Sequence, residues 1–195
     1  MDLGTPQTIM AAALGLGLAA AVGFRVFMPF LVVSLASRAS VVTLSGGFEW
    51  LGSDAALVMF TVAATLEVAA YFIPYFDHLL DVVAGPAAVI AGTVLMASAL
   101  VDMAPWLRWS MAIVAGGGTA GLFHGSLAGL RMGSTATTGG VANPVFAGLE
   151  TGGSVALAVL AVLMPLAAVV LVIYLLVRGG RKLGRGLWRL HSNDK

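Results

Sequence analysis

The chain has 195 residues, of which 59% are hydrophobic and 10% charged, with a formal net charge of +1 and a mean hydropathy of +1.00. A composition this apolar lies far outside the soluble range and reads as an integral membrane protein. The absence of cysteine excludes a disulfide framework and a thiolate metal site.

Charge is unevenly spread, since Arg178, Arg181, Lys182, Arg185, Arg189 and Lys195 are six of the ten basic residues and fall within the last eighteen positions. No Lys or Arg precedes the first apolar run, so residues 8–24 are expected to be a retained span and not a cleaved signal peptide. Arg25 and Pro29 follow it in Gly23-Phe24-Arg25-Val26-Phe27-Met28-Pro29-Phe30. An arginine within lipid is costly, and proline removes an N–H, so a helix break sheltered inside the protein is expected here. At 1.5 Å per residue, residues 26–36 cover only about 16 Å and predict a re-entrant half-helix.

Residues 40–53, rich in glycine and carrying Trp50, read as an interfacial loop. A Ser53/Asp54 cap opens the next span, 54–74, which contains Glu67. Residues 75–83 read as a short amphipathic piece with Asp77, His78 and Asp81, and 86–101 as a further span with Pro86 in its first turn. Spans at 107–130 and 152–177 complete a count of about five, with a kink at Pro165. Between them, 133–150 is too polar for a lipid-facing helix and is predicted to be the second broken element. The basic tail, 179–195, suggests anionic lipid on the cytoplasmic face and not nucleic acid. Together the runs predict an all-α, polytopic protein of the bacterial inner membrane with its C-terminus cytoplasmic; five spans and the positive-inside rule then put the N-terminus outside.

Two small-residue ridges at four-residue spacing, Ala11-Gly15-Ala19-Gly23 and Gly117-Gly121-Gly125-Gly129, each end in Gly-x-Arg and lead to a proline-marked break. They predict two repeats, 1–103 and 104–178, of inverted topology, as in many secondary transporters; close helix packing alone would also produce such ridges. Three constellations carry possible chemistry. Glu67 and His124 fall at similar depth, about 20 and 25 Å along their spans, where a proton-coupling pair and a structural hydrogen bond are equally fitting. Arg25, with Thr135, Thr137, Thr138 and Asn143 from the Ser/Thr/Gly segment, forms a candidate binding set for a polar or anionic solute, against an ordinary polar loop. Asp77, His78 and Asp81 offer a weak metal set, with a solvated turn the plainer alternative.

The motifs GFRxFxP, YFIPYFDHLLD and STATTGG followed by NP resemble those of an uncharacterised family of small bacterial integral membrane proteins, a domain of unknown function. The resemblance covers nearly the whole chain and implies no activity. It places Gly23, Arg25, Pro29, Asp77, Asp81, Thr137, Thr138, Gly139, Asn143 and Pro144 on family motifs, and leaves His124 outside them. The expected function is a transporter or channel for a small polar or anionic solute, with or without proton coupling. The alternatives are translocation of a lipid headgroup such as a polyprenyl phosphate, or a non-transporting partner or assembly protein. An intramembrane enzyme is the least favoured. No cofactor is expected; membrane lipids, the solute and a second copy bound through the glycine ridges are the expected partners.

Overall fold

The computed structural model describes the backbone of residues 5–70, 76–139, 141 and 143–192, and side-chain surroundings for these apart from 76–82, 143 and 182–192. Among the described residues it is all-helical: α1 (Pro6–Phe24), α2 (Phe27–Arg38), α3 (Asp54–Ala70), α4 (Phe76–Ala99), α5 (Pro105–Met111), α6 (Gly118–Thr138), α7 (Asn143–Leu163) and α8 (Pro165–Ser192). Two stretches, Pro6–Phe24 and Pro144–Leu163, are long and apolar enough to cross a membrane by length and composition.

α1 lies at the centre, against α4, α6, α7 and α8, so the two predicted repeats share one core. Its glycines set the approach distances. A Cβ at Gly15 would strike Met96 of α4, one at Gly17 would strike Ala161 of α7, and one at Gly23 would meet Phe123 and the carbonyl of Ala120 in α6. These contacts give the directions of the helices. Residues 15, 21 and 25 of α1 meet Met96, Ser154 and Ala147 respectively, and Gly17 meets Ala161, so α7 runs antiparallel to α1. On α4, Gly85 approaches His124 while Gly92 approaches Gly116 and Ala120, so α4 and α6 are antiparallel too.

The break after α1 reverses the chain. α2 packs antiparallel on α3, with Val26 at Glu67, Phe30 stacked on Phe60 (4.9 Å between ring centroids) and Arg38 paired with Asp54. The following segment returns to the end of the bundle where α1 began: Val42 and Thr43 line the same cleft as Thr5, Thr8, Ala99, Asp102 and Pro165. The Ser45 amide donates to the Ser98 carbonyl at 2.8 Å, Arg108 binds the Ser45 hydroxyl, and Phe48 packs on Trp109. Residues 40–53 are therefore a packed strap with Val42, Leu44, Phe48 and Leu51 buried, where an interfacial loop was expected. α1 and α2 form a helical hairpin whose two arms leave and return to one end, called here the near end.

The helix breaks at Arg25, in extended conformation (φ −147°, ψ 132°), between the expected bounds 8–24 and 26–36. Pro29 is the third residue of α2, where the N–H has no intrahelical acceptor, so the proline removes no hydrogen bond. Because α2 folds back, the parity of the chain changes: α1 and α6 run the same way, and the inverted relation of the two Gly-x-Arg ridges does not hold. The start of α8 at Pro165 shares the near end with Thr5 and Thr8.

Three boundaries differ as well. Residues 76–83 and 86–99 of those two predicted pieces are one helix, α4, with Pro86 in its interior; the lost bond is tolerated where Ala88, Ala91 and Leu95 are buried against neighbours. The predicted 107–130 span is α5 and α6 joined by a π-helical turn over Ala112–Gly117, and it continues through the threonines to Thr138. The broken segment shrinks to a short link: Gly139 takes a left-handed conformation (φ 62°) and its N–H donates to Thr135 O at 2.9 Å, an end that glycine accommodates without strain. Asn143 then opens α7 with Pro144 in its first turn. The 152–177 span is interrupted at Met164, ahead of Pro165, where the kink was expected.

Candidate functional site

A broken helix leaves donors at one new terminus and acceptors at the other, and away from water each needs a partner. The hairpin tip finds them on two other helices. Both oxygens of the Glu67 carboxylate, on α3, accept from the first amides of α2: Val26 N–H at 2.8 Å and Phe27 N–H at 3.0 Å. A carboxylate also suits the positive end of that helix. At the other terminus, the hydroxyl of Ser154 on α7 donates to the Ala21 carbonyl at 2.9 Å, with the Arg25 carbonyl at 3.5 Å.

Arg25 extends from the tip into the protein and is 2% exposed. Its Nη2 donates to the Ala147 carbonyl at 3.1 Å and lies 3.5 Å from Glu150 Oε2. Arg131, from α6, brings Nε to 3.2 Å of the other oxygen, Glu150 Oε1. All three side chains are withdrawn from solvent, at 1%, 4% and 7% exposure for Arg25, Glu150 and Arg131. One carboxylate is thus clasped by two guanidiniums from different helices, and Glu67 stands on the backbone beside them.

The predicted residues fall in separate places. His124 is buried where α6 packs on Gly23, with its ring facing Gly85, whereas the Glu67 oxygens are engaged by the first amides of α2. Thr137 and Thr138 are exposed on the last turn of α6 and their hydroxyls return to the Gly133 and Ser134 carbonyls of the same helix; this back-bonding is what lets so polar a stretch stay helical. Thr135 is exposed on the same stretch. The side chains of Asn143, Asp77, His78 and Asp81 lie outside the described residues. Among the described residues, no three His, Asp or Glu side chains group as a metal site. A cleft of about 660 Å³, lined by Thr5, Gln7, Thr43 and Asp102 among others, opens at the near end, away from the arginines.

Sequence reasoning did not name Glu150, Arg131 or Ser154 as site residues. A signal for the first two was present: Gly-x-Arg occurs twice, and Glu150 stands beside an apolar run that offers no other acid. An acid and a base at membrane depth are expected to seek each other.

The fold and the site together define a class: an all-helical protein with apolar helices suited to membrane association and a buried Arg–Glu–Arg cluster at the tip of a broken helix. The chain belongs to the family described as Domain of unknown function (DUF4126), whose model matches residues 12–183. No curated protein and no solved structure matches it.

Proposed function

We propose that this is a multi-pass membrane protein that conducts a small anionic solute, with the Arg25–Glu150–Arg131 cluster as its site. The apolar side chains left exposed along the helices support immersion in lipid: Val58, Val62 and Leu66 on α3, Ile90 on α4, Leu122 and Leu130 on α6, and Ile173 on α8 are each at least half exposed. In that setting the α1–α2 hairpin re-enters from the near side, and α3, α4, α5–α6 and α7–α8 cross. Arg38, Arg108 and the basic stretch that follows Arg178 then share one side with the N-terminal segment, which the positive-inside rule makes cytoplasmic.

One observation carries the functional proposal: two guanidiniums and one carboxylate are buried together where the main chain is already broken. Burying such a group costs several kcal/mol per ion, and hydrocarbon of the same shape is often as stable or more so. Ionisable groups kept at membrane depth mark ion and solute pathways. Purified protein in liposomes should show flux of one or more small anions, reduced about tenfold or more in Arg25→Lys, the size of effect that losing one buried charge-assisted contact predicts. Absence of flux across formate, nitrate, chloride and phosphate would end the proposal and leave the cluster as a structural clasp.

A second reading rests on α6. Gly125, Gly129 and Gly133 have nothing within 4 Å of where a Cβ would stand, leaving an open ridge at four-residue spacing suited to another helix. A cysteine at Gly125 should form a disulfide-linked dimer in native membranes if two copies meet there; a monomer under oxidising conditions contradicts self-association through this ridge.

A further inference from the structure

Each guanidinium of the cluster addresses a different oxygen of Glu150, Arg131 Nε at Oε1 and Arg25 Nη2 at Oε2, and the three groups come from three separate helical elements. A planar, singly charged, two-oxygen anion held between two planar cations is a recognition geometry in its own right, because guanidinium and carboxylate match edge to edge. The ligand here is tethered to α7. We infer that Glu150 is a resident stand-in for the solute, and that the cluster is a binding site for a small monocarboxylate, filled by the protein's own side chain at rest. This rests on the conduit proposed above for its physiological meaning, and it narrows the solute from anions in general to planar carboxylates.

Two features give the inference physical content. Burial at 1–7% exposure excludes bulk water, so an arriving carboxylate that replaces Glu150 meets the same two guanidiniums and leaves the charge of the cluster unchanged. The site also sits at a break in the main chain: Arg25 is the extended residue between α1 and α2, and Glu150 lies two turns into α7.

Chemical rescue tests it. Glu150→Ala removes the carboxylate and leaves a space of about its size between two arginines. Formate or acetate should raise the melting midpoint of this variant by roughly 5 °C or more at saturation, as expected for a ligand that binds only the folded state. Chloride and phosphate at matched ionic strength should give less than half of that shift. Glu150→Gln, which keeps the volume filled, should show no selective response, and neither should Glu150→Ala combined with Arg131→Ala. If Glu150→Ala cannot be purified in chloride buffer, recovery in formate buffer supports the inference and failure in both overturns it. Equal shifts in formate and chloride overturn it as well. Flux separates the two proposals: rescue without flux in any variant keeps the carboxylate site and removes the conduit, whereas Arg25-dependent flux without rescue keeps the conduit and removes the stand-in.

Discussion

Arg25, Arg131 and Glu150 show how a charge can persist in a largely apolar chain: each is held by an opposite charge, and Arg25 also by a carbonyl. Removing Glu150 leaves two buried guanidiniums without their shared carboxylate, at a cost of about 3–5 kcal/mol. Glu150→Leu should accordingly lower the melting midpoint by on the order of 10 °C for a chain of this size. The Arg38–Asp54 pair provides the contrast, since Asp54 is 88% exposed and water screens it; Arg38→Ala should cost no more than about 1 kcal/mol. Equal effects in the two variants would show that burial is not what makes the cluster matter. Glu67→Gln removes one of two acceptors for the amides of α2, so a loss of about 1–3 kcal/mol is expected, and Ser154→Ala should cost about 1 kcal/mol. Denaturant or thermal titration in one detergent would rank the four.

At the scale of elements, the α1–α2 hairpin depends on glycine on one arm and proline on the other. Gly23 lets α6 reach the end of α1; with a methyl group there, Phe123 and the Ala120 carbonyl would have to move. Gly23→Ala should therefore cost about 1–3 kcal/mol, the usual penalty for overpacking. Gly125→Ala, with open space around it, should be neutral or stabilising by up to about 1 kcal/mol, because alanine favours helix. The existence of a half-helix after Arg25 was legible from its length and from Arg25 itself. Its direction was not, because the turn is made by two residues, Arg25 and Val26, whose partners Glu67 and Ser154 are 41 or more positions away. The threonines at 135, 137 and 138 misled for a local reason: polar side chains read as a loop unless the hydroxyls find carbonyls of their own helix, which is a matter of rotamer and not of composition.

For the whole molecule, an all-helical fold and suitability for a membrane follow from composition, whereas the topology turns on a single reversal. Once α2 folds back, the N-terminal segment, the strap through Thr43 and the start of α8 at Pro165 fall at one end, and the tip of the α6–α7 pair falls at the other. The chain contains no cysteine, so single cysteines placed at exposed Gln7, Thr43, Arg181 and Thr137 report sidedness without background. In sealed inverted vesicles, a membrane-impermeant thiol reagent added outside should label the first three and leave Thr137→Cys unlabelled until the membrane is opened. Labelling of Gln7→Cys and Thr43→Cys from opposite sides would contradict the re-entrant hairpin, and with it the buried tip at which the arginines meet.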